Sequence, residues 1–292
     1  MVDNLKLLIL GGDIRQLEVA KTVASRGTEV LLVGFEQFSD NQINHMKSRI
    51  QKIDFSKIDA LLLPVSGMNN GGKVEVSYSN EEIVLTKEDL LKTPEHCVIY
   101  TGIITPYLNQ LSEAAIRKLV PLFARDDIAI LNSIPTAEGT LQIAIENTDN
   151  MIHGSKVMIL GYGRVGKTMA RVFSTMGAHV RVGSRNEAEL ARAMEAGLTP
   201  FHFKNIEMEI VVDICINTIP HLILTSSVLS KMSLHTLIID VASKPGGTDF
   251  QFAEKRGIKL IWALGIPGKI APKSAGEIID KVLAELLEND FN

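Results

Sequence analysis

Cysteine and aromatic residues are scarce: the 292 residues include two cysteines, one tryptophan and only 5% aromatics in all. Cys97 and Cys215 lie far apart, each inside an apolar run, and neither belongs to a Cys-x-x-Cys pair, which excludes a disulfide framework and the common zinc and redox patterns. They read as buried, reduced thiols, which fits the cytoplasm. Long hydrophobic runs are missing too. No stretch reaches the ~18 apolar residues of a spanning helix. The apolar part of MVDNLKLLILGG is too short for a secretion signal, and it ends at Gly11-Gly12 like a strand. Neither sign of charge dominates: 30 lysines and arginines face 34 aspartates and glutamates, for a net charge of −4. The cations are scattered, so the electrostatic footprint of a nucleic-acid binder or a membrane-surface protein is absent. His153, His202, His221 and His235 have no His or Cys partner at i, i+4, and no Gly-x-Ser-x-Gly elbow occurs, so neither a metal site nor an esterase-type nucleophile is indicated. The expected partner is a small molecule or another protein.

Apolar residues, in contrast, are plentiful at 46%, and with this length they support about two domains with real cores. In the first half the short runs KLLILGG, EVLLVGF, ALLLPVSG, HCVIYTG and IAILNS alternate with the helical patterns RQLEVAKTVASRG and LNQLSEAAIRKLV. That alternation marks a parallel sheet covered on both faces, and it predicts an α/β domain over residues 1–132. In NSIPTAEGTLQIAIENTD, Ser133 is placed to cap a helix and Pro135 falls in its first turn, which predicts an interdomain crossover helix over 133–150. KVMILGYG, HVRVGSR, EIVVDICINTIP, TLIIDVAS and IKLIWALGIPG repeat the α/β pattern and predict a second domain over 151–271. The final segment, about 272–292, carries Ile278, Ile279, Val282, Leu283, Leu286 and Leu287 at helical spacing and is expected to pack back on the first domain. The expected fold class is α/β, with two Rossmann-like or flavodoxin-like doubly wound parallel-sheet domains and an interdomain cleft.

KVMILGYGRVGKTMARVF, residues 156–173, meets the context test for a dinucleotide fingerprint, because a strand runs through Gly161-Tyr162-Gly163-Arg164-Val165-Gly166 directly into a helix. Gly161 permits the tight turn, Gly163 lets a pyrophosphate approach the backbone, and Gly166 allows helix and strand to pack closely. The helix N-terminus then offers N–H groups and partial positive charge to the phosphates. An NAD site carries a carboxylate at the end of the next strand for the ribose 2′-hydroxyl; here that place holds Ser184-Arg185-Asn186, which favours the 2′-phosphate of NADP, with NAD as the alternative. The plain alternative is a solvated arginine in a loop, and Glu187 lies nearby as a counter-indication. The other strand ends of this domain, carrying Thr218, Pro220, Asp240 and Ala242, are expected to border the cofactor. His221 is a candidate proton-transfer group, since imidazole titrates near neutrality; the plain alternative is an exposed loop histidine.

The start of the chain imitates this pattern, and Glu36 even falls where an NAD carboxylate would, but no third glycine follows Gly11-Gly12. Arg15 at the start of the following helix suits a substrate carboxylate instead. Ser66, Thr101 and Ser133, with Glu138, stand at further strand ends and at the domain junction and complete the outline of one cleft. Each of these residues could equally be a cap, a turn or a surface group.

The segments LGGDIRQ, NSIPTAEG, LGYGRVGKTMA, VGSRN, INTIP, DVASKPGG and ALGIPGKIAPKSAG run across nearly all of the chain. The layout resembles two-domain dehydrogenases of the D-2-hydroxyacid and alanine dehydrogenase type, and these segments are similar, more closely, to the dipicolinate synthase A-subunit family. That resemblance implies an oxidoreductase acting on a CH–CH bond: NADP-linked oxidation of dihydrodipicolinate to pyridine-2,6-dicarboxylate in the mother-cell cytoplasm of a sporulating bacterium. The flavoprotein-like B-subunit of dipicolinate synthase is the implied partner, and homo-oligomerisation is left open. Within this resemblance, Arg15, Ser66, Thr101, Ser133 and Lys269 become the candidates for the substrate carboxylates, and His221 and Glu138 those for the proton. The Arg, Glu and His arrangement of the hydroxyacid dehydrogenases has no counterpart at matching positions. The alternatives are another NADP-dependent hydroxyacid or amino-acid dehydrogenase, or a regulatory component that senses nucleotides.

Overall fold

The computed structural model describes residues 5–291; the part of the N-terminal expectation that rests on residues 1–4, and the last position of the expected C-terminal helix, lie outside the described residues. Two compact units divide the chain: one runs up to Ala129 and resumes at Ala271, and the other spans Ile130–Ile270.

The first unit comprises β1 (Lys6–Leu10), α1 (Ile14–Ser25), β2 (Glu29–Val33), β3 (Lys47–Ser48), β4 (Ala60–Leu62), α2 (Lys87–Lys92), β5 (Val98–Thr101), α3 (Pro106–Ala115) and β6 (Lys118–Pro121). Its six strands are all parallel, in the order β3-β2-β1-β4-β5-β6. Without the two-residue β3, the order is that of flavodoxin-like sheets. The KLLIL run explains why β1 is central. Leu7 and Ile9 enter one core, Leu8 and Leu10 enter the core on the opposite face, and all four are fully buried. A strand buried on both faces must be apolar throughout rather than alternating.

A long helix, α4 (Asp126–Asn147), follows; the division between the units falls within it. It corrects two expectations. IAILNS, expected as a strand, lies in this helix, and Ser133 is not its cap. A short apolar run cannot be told from a buried helical turn by pattern alone, and here Asp126 and Asp127 precede it, favouring a helix N-terminus. Pro135 therefore sits inside the helix, where its missing N–H would ordinarily break the ladder. The carbonyl this leaves is that of Leu131; on either side of it Ser133 Oγ donates to the Ile130 carbonyl at 2.6 Å and Thr136 Oγ1 to that of Asn132 at 2.8 Å.

The second unit continues with β7 (Lys156–Leu160), α5 (Arg164–Thr175), β8 (His179–Ser184), α6 (Glu187–Glu195), β9 (Thr199–His202), β10 (Ile214–Asn217), α7 (Ser226–Lys231), β11 (Leu237–Asp240), α8 (Phe250–Arg256), β12 (Leu260–Trp262) and α9 (Ile266–Ile270). The sheet order β12-β11-β10-β7-β8-β9 is that of the doubly wound dinucleotide fold, with β7 central. Val157 and Ile159 face one core, and Met158 and Leu160 the other. Cys97 and Cys215 are both buried and free, and burial pushes the Cys97 thiol up to about 11 and that of Cys215 in the same direction.

The last helix, α10 (Pro272–Phe291), belongs to the first unit, where Ile279, Val282, Leu283 and Leu287 enter the core beside α1. Two polar contacts fasten it. Asp280, almost fully buried, takes the Arg26 guanidinium at 2.8 Å, and the Tyr100 hydroxyl donates to Asp290 at 2.7 Å. Burial raises the Asp280 pKa, and the Arg26 charge opposes that rise. At Gly276 the two helices come so close that a Cβ would lie 2.7 Å from that of Glu18 and 2.9 Å from the Arg15 carbonyl oxygen. Gly276→Val is therefore expected to wedge α10 from α1 and lower stability by about 1–3 kcal/mol, read as a shift of the urea unfolding midpoint; an unshifted midpoint would contradict this packing.

Candidate functional site

In the second unit, β7 ends at the switch point of its sheet, where β10 and β8 flank it on either side, and the chain turns there through Gly161–Gly166 into α5. Gly161 has φ +95°, a conformation open to glycine, and its amide donates to the Gly183 carbonyl at 2.9 Å. A Cβ on Gly161 would lie 2.5 Å from Thr218 Oγ1, and one on Gly166 would lie 2.1 Å from the Gly161 carbonyl oxygen. The helix thus rests directly on the strand end. Gly163 differs: it is exposed, caps α5 without any side-chain hydrogen bond, and has no atom within 4 Å of where its Cβ would stand. The first turn of a twelve-residue helix, beginning with Arg164 and Val165, therefore opens on an uncovered glycine, the arrangement that accepts a pyrophosphate. Tyr162 is 5% exposed and packs into the core behind the turn.

At the end of β8 the three predicted cofactor residues separate in role. Ser184 is buried; its hydroxyl donates to Glu189 at 2.6 Å and accepts from the Asn186 amide at 3.0 Å. Asn186 caps α6 through its side-chain oxygen, which accepts from the Ala188 and Glu189 amides. Both shape the turn, so the expectation that Ser184 offers a free hydroxyl is corrected. Arg185 between them is exposed and has no hydrogen bond or ion pair among the described residues.

Across the switch point, Thr218 donates to the Leu160 carbonyl at 2.8 Å and so closes the crevice beside Gly161, with Pro220 half-buried further along the same loop. Asp240 and Ala242 were expected to face the cofactor, and the structure corrects both. Asp240 is fully buried, and its carboxylate accepts from the Ala242 amide at 3.0 Å, the Gly247 amide at 2.9 Å and the Thr248 hydroxyl at 2.8 Å. Ala242 is buried too, and its carbonyl takes the Trp262 indole N–H at 3.1 Å. They hold the 241–248 loop in shape. Gly247 packs against the Ile219 and His221 carbonyls, a position where a Cβ would come within 2.3 Å and 2.8 Å of those oxygens. His221 itself is exposed. Glu138 on α4 and Lys269 on α9 are exposed as well, on two helices brought together where Gly139 meets Ile266 and Ile270. None of these three side chains has a partner among the described residues. Ser133 does not join them. It is fully buried, and its hydroxyl shares a 2.6 Å hydrogen bond with Thr168 Oγ1, tying α4 to α5.

The imitation fingerprint in the first unit is filled by the chain itself. The Gly12 amide donates to the Glu75 carbonyl at 2.7 Å, the Ser77 amide donates back to Gly12, and a Cβ on Gly11 would lie 2.5 Å from the Glu75 carbonyl oxygen. No uncovered glycine remains there for a phosphate. Arg15 is 8% exposed, and its guanidinium grips the Asp13 carboxylate through Nε at 2.9 Å and Nη2 at 2.6 Å. Asp13 also caps α1 in a reciprocal box with Gln16. Ser66 is exposed but donates to Glu75 at 2.7 Å. Thr101 is fully buried and donates its hydroxyl to the Ile103 carbonyl at 3.0 Å, which removes it from the substrate-binding set. Asp13 and Glu75, both beside predicted residues, are absent from the set expected from sequence. Asp13 was legible as a helix cap before Arg15; nothing in the sequence marks Glu75.

A family model for the N-terminal domain of the dipicolinate synthase A-subunit matches residues 6–123, and one for the NAD binding domain of S-adenosyl-L-homocysteine hydrolase matches residues 136–260. The dipicolinate synthase A-subunit of Bacillus subtilis (strain 168) is 50% identical over 288 residues, which cover 98% of this chain and 97% of the relative. The chain belongs to the dipicolinate synthase A-subunit family. A crystal structure of the A-subunit from Bacillus halodurans aligns with a TM-score of 0.93 at 51% identity, over 98% of this chain and 99% of that one. L-alanine dehydrogenase, at 14% identity and a TM-score of 0.61 over 97% of this chain and 90% of that one, shares the fold alone.

In this family member the NAD-binding-type domain is the one whose glycine turn is open. Two glycine substitutions separate folding from nucleotide binding. Gly166→Ala, which drives a methyl into the Gly161 carbonyl, is expected to lower stability by about 1–3 kcal/mol and to weaken the nucleotide as well. Gly163→Ala is expected to leave the unfolding midpoint in place while reducing nucleotide affinity at least ~10-fold, because its methyl meets only the ligand. Thermal melts and nucleotide titration of both variants check the pair.

Proposed function

We infer that the chain is the pyridine-nucleotide-dependent oxidoreductase that forms dipicolinate from dihydrodipicolinate, acting in the mother-cell cytoplasm during sporulation. Family membership carries the substrate, and the uncovered Gly163 at the start of α5 carries the cofactor class. When bound, the nicotinamide accepts the hydride. What remains is a proton and an aromatic dianion, so the protein has to hold the ring in register and receive that proton.

The preferred cofactor is NADP, and Arg185 reads its 2′-phosphate. The support is the exposed, unpaired guanidinium at the end of β8, between two residues that fix its turn. A carboxylate at this place would repel the phosphate, whereas a guanidinium binds it through charge-assisted hydrogen bonds. For the substrate, Lys269 is the uncommitted cation of the second unit's candidates. In the first unit the Arg15–Asp13 and Ser66–Glu75 pairs present one guanidinium and one hydroxyl already held by carboxylates, so Arg15 contributes to a carboxylate site with its charge largely offset. The flavoprotein-like B-subunit of dipicolinate synthase is the proposed partner.

The deciding assay supplies NADP and dihydrodipicolinate, generated from its aldol precursor, and follows the ultraviolet band of dipicolinate. Growth no faster than the spontaneous background, with the B-subunit present, would sink the assignment. In the same assay Arg185→Ala is expected to cost NADP about 1–3 kcal/mol of binding and NAD much less; equal losses would remove Arg185 from the 2′-phosphate. His221→Asn and Glu138→Gln decide the proton acceptor. The variant that lowers kcat by about 10²–10⁴ and flattens its pH dependence is the base, and two unchanged profiles assign the proton to water.

A further inference from the structure

In the second unit, α5 and α6 flank a groove of ≈ 370 Å³ whose lining includes Tyr162, Lys167, Arg171, Ser174, Thr175 and Arg192, with Ala196 and Leu198 as apolar floor. Its chemistry is one-sided. Arg171, Ser174 and Thr175 have no side-chain hydrogen bond or ion pair among the described residues. Lys167 lies over the Tyr162 ring, 5.8 Å from its centroid, and has no carboxylate partner there either. Arg192 pairs with Glu195 at 3.1 Å, but both side chains are about two-thirds exposed (66% and 68%), so the pair holds the guanidinium only weakly. Three cations thus meet a single carboxylate.

Tyr162 supplies the independent sign. It is only 5% exposed, yet it lines the groove, and its hydroxyl has no hydrogen-bond partner among the described residues. The ring is buried while the hydroxyl oxygen itself reaches the groove surface, where it is free to donate to a ligand. Burial first, and Glu195 second, raise its pKa. A phenol donor held by a buried ring, the cations Lys167 and Arg171 without carboxylate partners, and two free hydroxyls on an apolar floor form a site for a small anion with a flat or apolar body.

We propose that this groove is a second ligand site, separate from the dinucleotide turn, for a small polyanion bearing phosphate or carboxylate groups. Arg171, Lys167 and Arg192 take its charge, Tyr162 and the hydroxyls of Ser174 and Thr175 donate to its oxygens, and Ala196 and Leu198 cover its apolar part. The volume suits a small molecule, at the lower end of the ~300–1,000 Å³ typical of ligand pockets. Tyr162 lies between the first two glycines of the turn and Lys167 directly after the third, so the groove's wall is the back of the dinucleotide turn.

The inference rests on the second unit's being the nucleotide domain, not on the identity of the substrate. NADP is titrated first, so a failed dinucleotide assignment appears there as missing binding. The NADP-saturated chain is then titrated with sodium pyrophosphate and, separately, with dipicolinate. Saturable binding that Arg171→Glu weakens is expected for at least one probe; dipicolinate binding that Arg171→Glu leaves intact belongs to the product site. Binding of pyrophosphate alone assigns the groove to phosphates, and of dipicolinate alone to carboxylates. Arg171→Glu and Arg192→Glu, both on the exposed face, should weaken the bound probe at least ~10-fold while NADP affinity stays at its wild-type value. Absence of saturable binding for both probes, or undiminished binding in Arg171→Glu, overturns the proposal.

Discussion

Everything that makes the second unit a nucleotide domain depends on one backbone contact, the rest of Gly166 on the Gly161 carbonyl, with 2.1 Å where a side chain would begin. Because α5 can come that close, its first turn stands directly over the end of β7, at the place where the sheet reverses its winding. The helix dipole and the first-turn amides then act on the same small volume. Thr218 closes the turn from the β10 side, and Ser184 and Asn186 fix the β8 side. Gly163 and Arg185 are left uncovered, and the proposed nucleotide contacts rest on those two.

The first unit is built on the same plan but to a different end. Its glycine turn is occupied by backbone from Glu75 to Ser77, which satisfies the amide that a phosphate would otherwise take. One doubly wound sheet therefore leaves its glycine turn open to a phosphate and the other does not, although both begin with an apolar strand, glycines and a helix. The difference lies in a segment roughly sixty residues further along the chain.

Buried carboxylates serve geometry in both units. Asp240 organises the loop after β11 with three hydrogen bonds, and Asp280 fastens α10 through Arg26. Each is hydrogen-bonded or ion-paired because a buried carboxylate without partners would be costly. The same constraint explains why several polar residues with the right chemistry for a ligand, such as Thr101 and Ser133, are turned inward, where their hydroxyls bond a carbonyl and a threonine.

By itself, the amino-acid sequence determined the α/β class, the doubly wound sheets and the glycine turn at Gly161–Gly166. Continuous apolar runs and glycine spacing are local patterns tied to local geometry. It also carried the family, through segments spread over most of the chain. Only the tertiary structure decided that α4 begins at Asp126 and runs through Pro135, that Arg15 is held by Asp13, and that Asp240 faces inward while Arg185 faces solvent. Those outcomes turn on which partner arrives from elsewhere in the fold to satisfy each polar group, and a single side chain's type does not specify its partner.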